Sequence, residues 1–156
     1  MFVLILVLYK KLPTLYNNYI LENTKLDNTS IRRLSDEEIS VPDLNNNKIL
    51  LFWTTWCGVC YSEMKKLNEM LSQGHLKAED LIAISLDENK EEVLKFIEKE
   101  NYQFVVAHDF DGNLARKFKI TATPTIVFVN KNTTIDWVST GVTPTLEKRI
   151  KAFLKK

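Results

Sequence analysis

Both cysteines of the 156-residue chain lie in one short motif, Trp56-Cys57-Gly58-Val59-Cys60. Two thiols at this spacing can cycle between a dithiol and a disulfide, because one sulfur attacks a substrate while the other stays within reach. The motif directly follows an apolar run at 49–53, and we expect it to open a helix. The N–H groups and the dipole at a helix N-terminus favour a thiolate. Cys57 is therefore the predicted nucleophile and Cys60 the predicted resolving thiol.

Metal binding is the main chemical alternative for the two cysteines. A structural zinc site normally takes four ligands, which two thiolates cannot supply. The two histidines, His75 and His108, do not have the spacing of a zinc finger. A two-thiolate site for a soft metal and a pair of inert core thiols remain open. The pairing of both cysteines at a predicted helix start favours the redox dithiol.

The composition is that of one ordinary globular domain. Hydrophobic residues make up 45% of the chain and charged residues 26%, which is enough apolar material for a core. The formal net charge of +1 gives no electrostatic signature of nucleic-acid binding, so we expect no nucleic-acid partner. No internal repeat or low-complexity tract is evident.

The first residues form a separate segment. Residues 2–9 are continuously apolar and are followed by Lys10 and Lys11. This run is shorter than the roughly 20 residues that span a bilayer, and no Ala-x-Ala cleavage site follows it. We predict that residues 1–11 are part of a membrane anchor whose upstream end is missing from this sequence, and that 12–29 form a linker or a loose helix. The alternative is a short buried strand or helical turn of the domain.

The remainder, 30–156, alternates between strand and helix patterns. The helix after the motif carries an inward stripe and ends at Gly74, and the last helix has Thr143 as its predicted N-cap and Pro144 at its first position. Short apolar runs predict buried strands, and the last two alternate around a turn as a β-hairpin. The predicted order β–α–β–α–β–α–β–β–α is typical of an α/β sandwich around a mixed sheet. The inward stripe comprises Cys60, Met64, Leu67 and Leu71; the strands are predicted at 49–54, 81–86, 104–107, 125–130 and 134–139, with one or two more within 30–41.

Two motifs in this order resemble the thioredoxin superfamily. The first is the motif at 56–60, and the second is Thr121-Ala122-Thr123-Pro124-Thr125, which comes directly before a predicted strand. A proline at the start of a strand can adopt the cis form where the fold fixes it. The resemblance implies a thioredoxin fold in which Pro124 faces the dithiol and the backbone of Thr123 pairs with an extended substrate segment. It also implies that Trp56 contributes to substrate binding.

Within that superfamily the chain is most similar to the TlpA/ResA-like thiol–disulfide oxidoreductases. The segment from Asp87 to Phe118 looks like that family's helical insertion between the second strand and the Pro124 loop. Glu63 lies three residues after Cys60, where the resemblance implies a proton acceptor for the resolving cysteine. Thioredoxin has an acidic residue six positions before its first cysteine, and here that position is Leu51. The alternative for Glu63 is a solvated helix residue.

The predicted function is therefore a thiol–disulfide oxidoreductase that reduces protein disulfides without a cofactor. The resemblance implies a membrane thiol-transfer protein as electron donor, an N-terminally anchored monomer in the bacterial periplasm or on the outer face of the cytoplasmic membrane, and a role in cytochrome c maturation. The resemblance also implies that Gly58 and Val59, between the cysteines, tune the redox potential, and Val59 stands where a proline is frequent in the family. Two alternatives stay open: a thiol oxidase or isomerase, and a copper-handling module with His108 as third ligand.

Overall fold

The computed structural model describes residues 2–41 and 46–155, with side chains from residue 12 onward. Within these residues, seven strands form one mixed sheet, which is flanked by helices on both faces. In chain order the elements are α1 (Phe2–Leu21), β1 (Thr29–Arg33), β2 (Glu38–Val41), β3 (Lys48–Trp53), α2 (Gly58–Ser72), a 3-10 turn (Ala78–Asp80), β4 (Leu81–Ser85), α3 (Lys90–Glu100), β5 (Val105–His108), α4 (Asn113–Lys117), β6 (Thr125–Val129), β7 (Ile135–Thr140) and α5 (Leu146–Phe153).

The sheet has the order β2-β1-β5-β4-β3-β6-β7. The central strands β3, β4 and β5 are parallel, whereas β6 and β7 on one side and β1 and β2 on the other are antiparallel to their neighbours. Every residue of β3, β4 and β6 is buried, as expected for strands covered on both faces. The parallel centre brings the carboxyl ends of β3, β4 and β5 to one edge, and the loops that carry the chemistry start there.

Two apolar clusters form the core, one on each face of the sheet. On the first face α2, α3 and α5 pack through residues such as Met64, Val93 and Ile150, and on the second α4 and the end of α1 pack through Leu114 and Leu21. This arrangement is the predicted thioredoxin fold, with α3, β5 and α4 inserted between β4 and the Pro124 loop. Two strands, β1 and β2, are present where one or two were predicted within 30–41.

Local differences from the sequence predictions have simple geometric causes. The inward stripe of α2 ends at Met70, which is 5% exposed, and the predicted Leu71 is half-buried, since Met70 completes the spacing set by Met64 and Leu67. The predicted cap of the last helix was wrong: α5 begins at Leu146 with Thr145 before it. The Thr143 carbonyl accepts the N–H of Leu146 in a preceding turn instead. The sequence also predicts a turn at 43–48, before β3; its residues 43–45 lie outside the described residues, and Lys48 is already the first residue of β3.

The N-terminal segment is one helix over residues 2–21, covering most of the predicted anchor and the first part of the predicted linker. Its carboxyl half packs along β7, where Asn18 and Thr140 are hydrogen-bonded through their side chains and Val138 donates its N–H to the Glu22 carboxylate. In the part of the chain that the structure describes, no helix combines the length and the apolar character that crossing a membrane requires.

Candidate active site

The dithiol loop leaves β3 at the edge where the parallel strands end. Residues 54–57 connect β3 to α2, and the N–H of Cys57 donates to the carbonyl of Thr54. Antiparallel pairing of β3 with β6 aligns Phe52 with Thr125, so Pro124 lies at the same edge, level with the end of β3. The fold therefore brings the two motifs of the sequence together.

Cys57 and Cys60 form a disulfide at the N-terminus of α2. Their sulfur atoms are 2.17 Å apart and their Cα atoms 5.2 Å apart. Cys57 is the N-cap residue, and its sulfur accepts the N–H of Cys60 at 3.2 Å. Cys60 is fully buried, while Cys57 is partly exposed. The accessible sulfur is thus the one that the helix N-terminus favours as a thiolate.

Asp87 holds the loop that leads to Cys57. Both carboxylate oxygens accept the Thr55 N–H, at 3.0 and 3.1 Å, and Oδ1 also accepts the Thr55 hydroxyl at 2.7 Å. The Ser85 hydroxyl donates to Oδ2 at 2.8 Å. Asp87 is 7% exposed, so a well-satisfied buried carboxylate joins the end of β4 to the residue two positions before Cys57.

Glu63 is fully buried one turn along α2 from Cys60. Its Oε1 accepts the Lys66 ammonium at 2.9 Å, while Oε2 is buried without a hydrogen-bond partner among the described residues. Residues three apart on a helix are neighbours, so the carboxyl group lies next to Cys60 along the helix. The burial agrees with the interior position expected for Glu63 and excludes the solvated alternative.

The Thr123–Pro124 peptide bond is cis, the form that a proline at the start of a strand can adopt where the fold fixes it. The Pro124 carbonyl accepts the N–H of Gly141, which ties the loop to the end of β7. Thr123 lines a groove of about 550 Å³ between this loop and α1, and Leu15 and Tyr19 lie on the opposite wall. The loop therefore forms one wall of a surface groove at the sheet edge where β6 begins.

Exposed apolar side chains flank the two cysteines. Trp56 is 79% exposed and Val59 is 43% exposed. Val142, which follows Gly141 beside the Pro124 loop, is 60% exposed. Such residues near one edge are suited to contact with a second polypeptide. Gly58, the first residue of α2, has open space where a side chain would be.

His108, the conceivable third metal ligand, is engaged elsewhere. It ends β5, which β4 separates from β3, and its Nε2 lies 2.5 Å from the Asp87 carbonyl oxygen. Among residues 2–41 and 46–155, no group of three or more His, Cys, Asp or Glu side chains is placed to hold a metal ion.

Sequence reasoning missed Asp87 and Lys66 as parts of the site. Asp87 follows β4 and Thr55 follows β3, and neighbouring parallel strands end at the same edge, so their contact was open to prediction from topology. Lys66 lies three residues after Glu63, a spacing that forms ion pairs on helices. This spacing could have identified the Glu63–Lys66 pair, but only if Glu63 was expected to be buried. The flanking Tyr61 and Ser62 do not indicate burial.

A mixed sheet with a Cys-x-x-Cys disulfide at the start of the helix after β3, and a cis-proline at the start of β6, defines a thioredoxin-fold thiol–disulfide oxidoreductase. The site has the reactive pair of this class and an exposed rim around it. By sequence, the chain belongs to the AhpC/TSA family, whose profile matches residues 22–138.

Individual relatives agree with that assignment. The chain is 28% identical over 132 residues to a thioredoxin-like protein of Haemophilus influenzae, covering 83% of this chain and 76% of the relative. It is 30% identical over 116 residues to the thiol–disulfide oxidoreductase ResA of Oceanobacillus iheyensis, covering 71% of this chain and 60% of that protein. The crystal structure of StoA from Bacillus subtilis has the same fold, with a TM-score of 0.70 and 23% identity over 81% of this chain and 96% of StoA.

Proposed function

We propose that this thiol–disulfide oxidoreductase reduces disulfide bonds in protein substrates. The observation that carries the proposal is the Cys57–Cys60 disulfide at the start of α2, with its first sulfur accessible and its second buried. In the reduced enzyme the Cys57 thiolate attacks a substrate disulfide, forms a mixed disulfide and releases one substrate sulfur as a thiolate. Cys60 then attacks Cys57, so the second substrate sulfur leaves and the enzyme disulfide forms.

Glu63 acts in the second step as the acceptor of the Cys60 proton. Cys60 is buried and gives a thiolate slowly without a base, because charge separation in an apolar setting is costly. The buried carboxyl group one turn away supports this assignment. A base for the buried Cys60 supports the resolving step, which completes substrate reduction, while the reduction potential sets the net direction of exchange.

The substrate polypeptide is proposed to lie across the Pro124 loop. Thr123 would pair through its backbone with an extended segment of the substrate, and Trp56 would pack against it. The exposure of Trp56 and the groove beside Thr123 support this binding mode. Apocytochrome c is the target that the TlpA/ResA resemblance implies.

We further propose that the reaction uses no cofactor and that electrons come from a membrane thiol-transfer protein. The apolar run at 2–9 supports attachment of the protein, which we propose to be a monomer, to the outer face of a bacterial cytoplasmic membrane.

Reduction of insulin disulfides by dithiothreitol, with and without the protein, tests the roles of the cysteines. Cys57→Ser is expected to abolish the acceleration, and Cys60→Ser to accumulate a mixed disulfide visible by mass spectrometry. Activity that persists in Cys57→Ser would refute the assignment. The direction follows from the reduction potential, because a value near roughly −270 mV fits a reductase and one near roughly −120 mV fits an oxidase.

A further inference from the structure

The buried carboxyl group of Glu63 has an asymmetric environment. One oxygen, Oε1, accepts the Lys66 ammonium at 2.9 Å, and the other, Oε2, is buried and unpartnered within the described residues. A buried carboxylate is costly unless it is paired, and a buried oxygen without a donor adds to that cost. An unsatisfied buried oxygen beside a reactive cysteine is therefore expected to have a donor at another stage of the reaction.

Lys66 reaches this carboxyl group from the surface. Its side chain is 54% exposed, whereas that of Glu63 is 0% exposed, so the lysine keeps its charge in contact with water while its ammonium meets Oε1. In the described part of the chain, Lys66 is the cation that pairs with Glu63. An opposite charge at this distance favours the ionised carboxylate over the neutral acid.

We infer that Lys66 is a positioning residue that holds Oε1 of Glu63 in an ion pair and leaves Oε2 free to accept the Cys60 proton. The inference rests on the reductase proposal above. When Cys60 resolves the mixed disulfide, its proton passes to Oε2 and its sulfur bonds to that of Cys57. The bond between Cys57 and the substrate breaks, and the substrate sulfur leaves with the electron pair.

The two directions of exchange depend on Lys66 differently. Resolution needs an ionised Glu63, which Lys66 supports. Reduction of the enzyme disulfide by a dithiol releases Cys60 as a thiolate, and a protonated Glu63 can supply the proton that this thiolate takes up. Loss of Lys66 is therefore expected to slow resolution without slowing reduction of the oxidised enzyme.

The experiment compares Lys66→Met with Lys66→Arg, which keeps the positive charge, and with the control Lys65→Met. Lys65 is an exposed neighbour on α2 whose ammonium lies over the Tyr61 ring rather than on Glu63. Reduced protein is mixed with a disulfide-bonded peptide, quenched with acid at set times, and analysed by mass spectrometry for the mixed disulfide.

Lys66→Met is expected to form the mixed disulfide at the wild-type rate and to resolve it about tenfold more slowly, since the carboxyl group remains but is no longer held in the ion pair. Lys66→Arg and Lys65→Met are expected to stay within about twofold of wild type. Reduction of oxidised Lys66→Met by dithiothreitol is expected to be no slower than that of wild type. Equal slowing in both directions would indicate a general structural effect and overturn the inference.

Glu63→Gln separates this inference from the function on which it rests. If Glu63→Gln resolves slowly and Lys66→Met resolves normally, the role of Lys66 is overturned and the reductase mechanism stands. Turnover that survives Cys57→Ser would overturn the mechanism itself. Should Lys66→Met fold poorly, the double variant with Glu63→Gln leaves no buried charge. Its resolution is expected to match Glu63→Gln alone, and a further multiplicative loss would overturn the inference.

Discussion

Asp87 is expected to be the strongest single anchor of the dithiol loop, so Asp87→Ala should destabilise the protein markedly. Its carboxylate accepts three donor groups, which are the Thr55 N–H, the Thr55 hydroxyl and the Ser85 hydroxyl. Hydrogen bonds to a charged group contribute roughly 1.5–3 kcal/mol each, and the half-buried Thr55 recovers part of this from water. The expected loss is therefore about 3–4 kcal/mol in the free energy of unfolding.

Urea unfolding at neutral pH, with the disulfide kept oxidised in every sample, measures this loss. Asp87→Asn keeps an acceptor for the Thr55 N–H and should cost about 1 kcal/mol, and Thr55→Val, which removes one hydroxyl, should cost a similar amount. A larger loss for Asp87→Ala than for Asp87→Asn and Thr55→Val tests the role of Asp87 better than any single value. If Asp87→Ala lies within about 0.5 kcal/mol of wild type, as for an ordinary surface substitution, the role assigned to Asp87 is wrong.

Three further outcomes are expected from the packing. Burial raises the pKa of Tyr102 from its ordinary value of 10.0, so the unfolded chain loses this proton first as the pH rises. The contribution of Tyr102 to the free energy of unfolding is therefore fully present below pH 10.0 and decreases as the pH rises above it. Tyr102→Phe should reduce this decrease, which urea unfolding at a pH on either side of 10.0 measures. Leu67→Ala in the fully buried face of α2 should lower the free energy of unfolding by about 2–5 kcal/mol. Leu21→Ser, at a 4% exposed position, should destabilise the protein, while Tyr19→Ser, at a 77% exposed position, should not; thermal unfolding compares them.

Much of the fold was predictable because its signals are local. The strands at the centre of the sheet are short apolar runs, and each is buried along its whole length, so no alternation was needed to find them. The helix after the motif was likewise predicted from residues within a few positions, whereas for Pro124 the local pattern allowed the cis form and the resemblance implied its place beside the dithiol. The pairing of the motifs came from resemblance, and the antiparallel register of β3 with β6 gives its physical basis.

The predictions that failed or fell short depended on contacts distant in sequence. The contact between the carboxyl end of α1 and β7 was not predicted, because its hydrogen bonds use Asn18 and Glu22. Both are polar residues in the segment that was interpreted as a linker or loose helix. The cap of α5 moved from Thr143 to Thr145 because the Thr143 hydroxyl is hydrogen-bonded to Ser139 of β7 instead. In both cases, contacts with residues outside the local segment outweighed the local sequence pattern.

The acidic residue of this site lies on α2, at Glu63, and not on β3, at position 51, and the neighbours of the two positions explain the difference. Leu51, where thioredoxin has its carboxylate, lies between Ala83 of β4 and Ile126 of β6, and all three are fully buried. A charge there would have apolar strands on both sides. On α2 the buried and exposed faces are less than one turn apart, so Lys66 reaches Glu63 from the surface. A helix can therefore hold a carboxyl group against the core and supply its counter-charge locally, as the base that we propose beside Cys60 requires.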